Sequence, residues 1–239
     1  MAFMRHPTLP NTGVIAGFPT CIYQGQYTDH VKYNVQLLDM IKKLKSDETI
    51  TALSKENYGA GWTSYHATNG NFNSEYNLAN NPITEELQTF IWDSVKNYFS
   101  TIGIDTSHLQ FLRLGVVWAN INSKYSYHTF HTHENSYYSG CYYVKVPAAS
   151  GDIVFKDPRS SMRSFELSPN ENQKFSDAVI RQIPVNPLPG SIVLFPSWLE
   201  HEVQQNLTDD DRVSIAFNII PDYEKLGKKT EEVRLKNAK

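Results

Sequence analysis

The sequence predicts a mainly β fold with flanking helices, in which an N-terminal helical part precedes a β-sandwich or barrel. Two amphipathic helical patterns occur before residue 104, and five short runs rich in Val, Ile, Phe and Tyr follow it. The chain has 239 residues, enough for one large domain, and its 14 Tyr and 12 Phe suit strand surfaces. These observations favour a β core over a helical bundle.

The chain shows no internal repeat and no linker, so we predict a single domain over residues 1–239. Its helical and loop part covers residues 1–104, its β core covers residues 105–221, and a charged tail covers residues 222–239. Such a tail is typical of a surface helix or a frayed end.

The composition argues against several function classes. The chain is 40% hydrophobic and 20% charged, which disfavours disorder, and its net charge of −3 gives no electrostatic case for nucleic-acid or membrane binding. The N-terminus lacks an apolar stretch of signal-peptide length, and no run approaches the ~18 apolar residues that span a bilayer. Cys21 and Cys141 form neither a disulfide framework nor a metal-ligand spacing, and Cys141 is expected to be a small buried hydrophobe. We expect a soluble, cytoplasmic protein.

The first helix is predicted from Thr28 to about Lys45, with Thr28 or Asp29 as its N-cap. Apolar residues recur along it at helical spacings: Val31, Leu37, Leu38, Ile41 and Leu44.

The second helix is predicted from Thr84 to about Ser100, with Glu85 and Glu86 in the first turn, where the helix dipole favours anions. Its apolar stripe consists of Leu87, Phe90, Ile91, Val95, Tyr98 and Phe99. Residues 56–82, between the helices, are rich in Gly and Asn and predict a long loop.

Five runs in the second half predict strands: QFLRLGVVWANIN, SGCYYVKVP, GDIVFKDP, GSIVLFPSW and RVSIAFNIIP. Clusters of Gly, Pro, Asn and Asp separate them, as between successive strands of an all-β unit. The segment PLPG, residues 187–190, predicts a turn that leads into the fourth of these strands.

Three of the eight histidines lie within YHTFHTHEN, at His128, His131 and His133. In a strand, His131 and His133 would share a face, and His128 would face away unless a bulge intervenes. Two neighbouring imidazoles favour a divalent transition metal, and the alternative is a histidine-rich polar loop. A mononuclear site needs a third ligand, and His201, which follows a strand and a tight corner, can supply it.

Arg212 and Ser214 lie on one face of the last predicted strand, and Arg212 comes eleven residues after His201. The segments HTHENSYYSGCYYVKVP and GSIVLFPSWLEHEV, followed by RVSIAFN, resemble the Fe(II)- and 2-oxoglutarate-dependent oxygenase superfamily. The resemblance covers roughly the second half of the chain. It is greatest to a branch of phage and marine-bacterial proteins related to prolyl hydroxylases, and GWTS around Trp62 is similar to that branch as well.

The resemblance implies a double-stranded β-helix, that is, a jelly-roll or cupin-like barrel with the N-terminal helices packed on it. It implies Fe(II) as the metal and 2-oxoglutarate as the cosubstrate. Arg212 matches the residue that binds the distal carboxylate of 2-oxoglutarate, since a planar guanidinium donates two hydrogen bonds to a carboxylate. Ser214 and Tyr143 match hydroxyl donors to the same carboxylate. The implied metal ligands are His131, His133 and His201.

The implied reaction is the hydroxylation of an unidentified substrate by dioxygen, with release of succinate and CO2. The relation to prolyl hydroxylases implies a peptidyl side chain as the substrate, while small molecules, lipids and nucleobases are substrates elsewhere in the superfamily. A phage-encoded protein would act in the host cytoplasm. No feature of the sequence indicates an oligomeric state.

The family pattern has a carboxylate where this sequence has His133, and three neutral imidazoles leave the charge of the metal uncompensated. Glu134 has the wrong strand parity to replace it and Asp152 lies in another segment, so we rank both below His133. Arg212 also has an alternative, a solvated salt bridge with Asp209, Asp210 or Asp211.

Four further residues are candidates for the pocket: Trp118, Asn120, Arg159 and Asn218. Each has a structural alternative, such as core packing for Trp118 or the closing of a turn for Arg159. The loop around Trp62 is a candidate for the mouth of the substrate pocket. The other histidines show no partner pattern and are expected to be structural or at the surface: His6, His30, His66 and His108.

Two other functions are alternatives. A cupin-type metalloenzyme with three histidines would share the barrel, but its motif adds a glutamate a few residues later, and here Glu134 follows directly. A non-catalytic phage structural or binding protein would keep the fold without a working pocket, and Arg212 and Ser214 beside the histidines speak against it.

Overall fold

The computed structural model describes residues 18–58, 61–159, 172 and 180–229. Its α-helices are α1 (His30–Ser46), α2 (Glu48–Tyr58), α3 (Tyr65–Thr68) and α4 (Glu85–Ile102). Short 3-10 helices lie at Leu78–Asn80, Pro82–Thr84 and Thr106–Phe111. Its strands are β1 (Tyr23–Gln26), β2 (Trp62–Thr63), β3 (Leu112–Asn122), β4 (His128–His131), β5 (Tyr138–Lys145), β6 (Ile153–Lys156), β7 (Gln182–Val185), β8 (Ser191–Pro196), β9 (His201–Val203) and β10 (Arg212–Pro221).

The strands form two antiparallel sheets, which confirms the predicted mainly β class. The larger sheet has the order β1-β8-β5-β10-β3-β2 and the smaller one β4-β9-β6-β7. Tyr143, Val193 and Phe195 of the larger sheet share an apolar cluster with Ile153 and Phe155 of the smaller one. The sheets therefore pack face to face, as in a double-stranded β-helix, and the described strands do not close into one continuous barrel.

The larger sheet has two different faces, because side chains alternate along each strand. On β10, Val213, Ile215 and Phe217 belong to the main core, together with residues of the helices. Arg212 and Ser214 have the opposite parity and line a pocket between the sheets. One strand thus carries both core residues and site residues.

α1 and α4 pack on the outer face of the larger sheet, as the resemblance implied. Leu37, Ile41, Leu87 and Ile91 are at most 1% exposed and lie in one cluster with Tyr142 of β5. Each buried side chain of this kind contributes roughly 1.5–3 kcal/mol. Both predicted helices are therefore confirmed, and their apolar stripes hold them on the sheet.

α1 differs in detail from the prediction. It begins at His30 rather than Thr28, and Asp29 occupies the N-cap position without a side-chain hydrogen bond to the helix. Val31 is 73% exposed, so its place in the predicted stripe is wrong. The buried positions of α1 are Tyr33, Asn34, Leu37, Met40 and Ile41.

The long loop predicted for residues 56–82 is wrong in part, because α2 ends inside this stretch and β2 and α3 lie within it. β2 pairs with β3 as an edge strand. Beyond α3, Asn77 anchors the backbone: its Oδ1 accepts from Val117 N at 2.8 Å, and its Nδ2 donates to the Gly115 carbonyl at 3.1 Å. Asparagine side chains therefore supply hydrogen bonds that regular pairing would otherwise provide.

The five predicted strands are present as β3, β5, β6, β8 and β10. The predicted turn at residues 187–190 is confirmed as well, since Gly190 has a φ of 81° and leads into β8. The sequence did not predict β1, β2, β7 and β9, because strands of two to four residues are too short to show a clear alternation.

The described part of the predicted tail is residues 222–229, of which residues 223–229 are helical, and Tyr223 is 70% exposed. His6 lies outside the described residues. Among the described helices, none has the length and apolarity that crossing a membrane requires.

Candidate metal centre

Three histidines from two neighbouring strands and an adjoining turn converge on one point. His131 ends β4 and His201 begins β9, and the two residues are paired directly across these antiparallel strands. His133 lies just after β4, where its backbone N–H donates to the Ser197 carbonyl at 2.9 Å. One ring nitrogen from each histidine lies within 4.8 Å of the others, as the binding of a single cation requires.

His133 reaches this cluster by a different route from the one predicted. β4 ends at His131, so the two histidines do not share one face of a strand. A turn follows instead, in which Asn135 has a φ of 56°. The turn and the hydrogen bond to Ser197 place His133 beside its partners.

The hydrogen bonds at Nδ1 indicate which ring nitrogens are free for a metal. His131 Nδ1 contacts the Thr129 carbonyl at 2.7 Å, and His201 Nδ1 contacts the Leu199 carbonyl at 2.9 Å. His133 Nδ1 contacts Asn218 Oδ1 at 2.7 Å. An oxygen of this kind accepts and does not donate, so each Nδ1 carries the proton and each Nε2 keeps its lone pair. The donor set therefore fits a transition-metal cation.

Burial keeps the imidazoles of His133 and His201 neutral. Desolvation lowers the pKa of His133 to about 4 and that of His201 to about 3, and a neighbouring histidine adds repulsion. Among the described residues no carboxylate joins the cluster. Glu134 is exposed at the pocket edge, and Asp152 accepts a hydrogen bond from Asn186 at 2.7 Å. His133 is therefore a better candidate for the third ligand than Glu134 or Asp152. The three candidate ligands are all imidazoles, so they bring no negative charge to the metal.

His128 lines the same pocket, although simple alternation pointed it away. The pairing of β4 with β9 shifts register between His128 and His131, and a bulge of this kind turns a side chain away from simple alternation. The two rings are 6.2 Å apart. Burial, with repulsion from His131 and Arg212, lowers the pKa of His128 to about 3.

Arg212 lines this pocket of about 510 Å³ with a side chain that is almost wholly buried. Its Nη1 donates to the carbonyls of Ser150 at 3.0 Å and Gly151 at 2.8 Å. Desolvation lowers the pKa of the guanidinium, which remains a cation. A buried cation is costly without an anionic partner, so this position suits the carboxylate of a ligand.

The alternative of a surface salt bridge for Arg212 is wrong. Asp209 pairs with Lys124 at 2.7 Å, and Asp210 pairs with Lys145. Arg212 forms no ion pair with any carboxylate in the part of the chain that the structure describes.

Ser214 and Tyr143 lie beside Arg212, as the resemblance requires. They are paired across β10 and β5, and both are buried residues that line the pocket. Burial raises the pKa of Tyr143 well above its ordinary value, so its hydroxyl stays protonated. Cys141 packs against the apolar cluster between the sheets, as expected of a small hydrophobe, and its thiol also lines the pocket within hydrogen-bonding reach of Ser214 and Tyr143.

Three of the four additional candidates line the pocket: Trp118, Asn120 and Asn218. The Trp118 ring contacts Tyr65 at 5.0 Å and His133 at 5.9 Å between centroids. Asn120 is buried, and its Oδ1 has no hydrogen-bond partner. Arg159 is not in the pocket, because its exposed guanidinium grips Asp157 through Nε at 2.9 Å and Nη2 at 2.8 Å.

Several pocket residues were missed or assigned elsewhere from the sequence. Trp62 itself is buried in the core, while Thr63, Tyr65 and His66 line the pocket, so His66 has more than the surface role expected of it. Asn122 also lines it, with a buried Nδ2 that has no partner. The resemblance of GWTS was the one signal that pointed to this segment.

Comparison with known proteins agrees with this site. Residues 116–218 match the family described as putative 2OG-Fe(II) oxygenase, a range that contains all three histidines and Arg212. No curated protein matches the chain in sequence. The fold is similar to SnoN, a non-haem α-ketoglutarate-dependent epimerase from nogalamycin biosynthesis, with a TM-score of 0.51 and 13% identity over 84% of this chain and 79% of SnoN. HygX from Streptomyces hygroscopicus, with nickel and 2-oxoglutarate bound, gives a TM-score of 0.50 at 13% identity over 84% of this chain and 83% of HygX.

A 2OG-Fe(II) oxygenase-family oxidoreductase from Burkholderia pseudomallei matches at 14% identity and a TM-score of 0.43, and the present chain spans 59% of its length. At such identities the structural likeness concerns the fold, while the family match rests on sequence. The relation to a phage and marine-bacterial branch stays a prediction. Residues 116–218, less than half of the chain, are therefore similar in sequence to the 2-oxoglutarate- and Fe(II)-dependent oxygenases.

Proposed function

We propose that this protein is an Fe(II)- and 2-oxoglutarate-dependent dioxygenase that hydroxylates its substrate and releases succinate and CO2. One observation supports this most strongly. Three ring nitrogens converge in a pocket whose wall carries Arg212, a buried guanidinium without a carboxylate partner in the described chain. A cation site and an anion site in one cavity suit a diacid that chelates a metal.

Three protein ligands leave coordination positions for the cosubstrate and dioxygen. When bound, iron and 2-oxoglutarate would supply the oxidising chemistry, in which dioxygen is the oxidant and delivers one oxygen atom to succinate, formed with release of CO2, and the other to the substrate. The protein contributes the shape of the cavity and the apolar walls, such as Ile153 and Phe195, that limit access of water. The ligands would be His131, His133 and His201.

Arg212 would bind the distal carboxylate of 2-oxoglutarate. The carbonyls of Ser150 and Gly151 fix its Nη1, so the remaining N–H groups of the rigid guanidinium can donate to the ligand. Ser214 and Tyr143 would add neutral hydroxyl donors from the same wall.

We further propose that the substrate is a peptidyl side chain, on the resemblance to prolyl hydroxylases. The pocket suits a partly apolar substrate, because Tyr65 and Trp118 form an aromatic wall near His133. Mass spectrometry of peptides incubated with the enzyme, iron and 2-oxoglutarate would show products heavier by one oxygen atom. Oxidation of small molecules alone would refute the peptidyl assignment and leave the oxygenase assignment intact.

A cupin-type metalloenzyme with three histidines is the second candidate, and the absence of a carboxylate from the described cluster favours it. An anaerobic titration of the Fe(II)-loaded protein with 2-oxoglutarate separates the two. We expect a visible metal-to-ligand charge-transfer band, and succinate on admission of air. A protein that binds Fe(II) but shows neither band nor succinate would be of the cupin type, and one that binds no metal would be a non-catalytic protein.

A further inference from the structure

His133 differs from the other two histidines of the cluster in the hydrogen-bond partner of its Nδ1. His131 and His201 contact backbone carbonyls two residues before themselves. The Nδ1 of His133 instead contacts a side chain 85 positions away, at Asn218 Oδ1. The orientation of this one ring therefore depends on a residue that can be replaced without altering the backbone.

Asn218 is held in turn by two serines that are 0% exposed. The Ser139 hydroxyl donates to Asn218 Oδ1 at 2.8 Å, and the hydroxyls of Ser139 and Ser197 are 2.7 Å apart. Ser139 has one proton, which goes to Asn218, so Ser197 is the donor to Ser139. The Ser197 carbonyl also accepts the backbone N–H of His133. Ser197, Ser139 and Asn218 thus form a chain of hydrogen-bonded residues that links the backbone N–H of His133 to the Nδ1 of its own ring.

The direction of these bonds sets the tautomer of His133. The amide oxygen of Asn218 accepts from both Ser139 and His133, which uses both of its lone pairs. Nδ1 must then carry the proton, and Nε2 keeps the lone pair. A rotated amide would present its NH2 group to Nδ1 and leave the proton on Nε2, where no metal could bind.

We propose that Asn218, fixed by Ser139 and Ser197, is the positioning residue that lets His133 serve as a metal ligand where the family has a carboxylate. The proposal rests on the metal site of the proposed function and deepens it, because it assigns the cause of the ligand's tautomer. Removal of such an outer hydrogen bond typically weakens metal binding by about 10–100-fold.

The tautomer can be measured in the metal-free protein by 15N NMR of the histidine rings. We expect His133 to be protonated at Nδ1 in the wild type and in Asn218→Asp, which keeps an acceptor oxygen, and to shift toward the Nε2–H form in Asn218→Leu. Protonation at Nε2 in the wild type, or an unchanged tautomer in Asn218→Leu, would overturn the proposal. The measurement needs neither metal nor 2-oxoglutarate, so it is independent of whether the protein is an oxygenase.

Calorimetric titration with Co²⁺ supplies the second test. Asn218→Leu should bind Co²⁺ about 10–100-fold more weakly than wild type, and Asn218→Asp should retain the affinity. Asn120→Leu is the matched control, since Asn120 lines the same pocket without a bond to a histidine, and we expect its affinity to stay within about threefold. If Asn218→Leu is unstable, Ser139→Ala replaces it, with an expected loss of a few-fold. If Asn218→Leu and Ser139→Ala both bind Co²⁺ with wild-type affinity, the proposal is refuted.

Discussion

His131 and His201 face each other across the β4–β9 pair, in register, with ring centroids 4.3 Å apart. They are 70 positions apart in the sequence, and the pairing of two short strands of the smaller sheet brings them together. His128 lies on the same strand as His131 and lines the same pocket, yet it is outside the cluster. His131 and His201 therefore belong to the metal site, and His128 can serve as a control residue because it lies in the same pocket but outside the cluster.

Replacing His201 should abolish tight metal binding. We expect His201→Ala to bind Co²⁺ at least about 100-fold more weakly than wild type, because one of three protein donors is lost. His128→Ala removes an imidazole of the same pocket and should keep the affinity within a few-fold. Isothermal titration calorimetry measures both, and an equal loss in the two variants would mean that the ligand set is assigned wrongly.

Replacing Arg212 should weaken the binding of 2-oxoglutarate and leave the binding of the metal unchanged. Truncating one partner of a buried, hydrogen-bonded charge pair costs about 2–5 kcal/mol, so we expect Arg212→Ala to raise the Kd for 2-oxoglutarate by at least ~30-fold. The matched control is Arg159→Ala, because that guanidinium is exposed and grips Asp157 outside the pocket. Spectroscopic titration of the anaerobic Fe(II) protein gives both constants. Unaltered cosubstrate affinity in Arg212→Ala would exclude this role.

Replacing His133 by aspartate should reduce the effect that bound 2-oxoglutarate has on the affinity for the metal. In the wild type three neutral imidazoles leave the metal dipositive, so the dianionic cosubstrate and the metal should bind with strong positive coupling. In His133→Asp a carboxylate already offsets one charge, and we expect the coupling to fall by at least about tenfold while metal binding persists. Co²⁺ titrations with and without 2-oxoglutarate measure it. His133→Ala, which should lose the metal, is the control, and equal coupling in wild type and His133→Asp would refute the charge argument.

Acid should destabilise the metal-free protein through its buried histidines. The folded-state pKa is about 4 for His133 and about 3 for His201, against an ordinary value of 6.5. The unfolded state therefore takes up protons first as the pH falls, so the stabilising contribution is complete above about pH 6.5 and is lost toward pH 4. Each histidine should lower the free energy of unfolding by up to about 1.4 kcal/mol per pH unit in that window.

Urea denaturation of the metal-free protein between about pH 7 and pH 4.5 checks this sign. The same series on His201→Gln, whose side chain is not protonated in this pH range, removes the contribution of His201 and leaves those of His133 and His128. A shallower dependence on pH in the variant is expected, and an identical dependence would show that His201 is not held neutral by burial.

Much of the fold followed from the sequence because the evidence was local. The alternation along RVSIAFN placed Val213 in the core and Arg212 in the pocket, and the helical spacing around Leu87 and Ile91 predicted α4. The order of motifs also indicated His131, His133 and His201 as one group, which the structure brings together. Short strands such as β9 lacked enough residues for any pattern to show.

By itself, then, the sequence determined the mainly β class, the long elements and the residue types of the site. Only the tertiary structure decided that His128 lines the pocket, that Cys141 lies beside Ser214, and that Asn218 orients His133. The reason is physical: periodicity depends on neighbouring residues, whereas a bulge, a strand register and a hydrogen bond across 85 positions depend on pairing between distant segments.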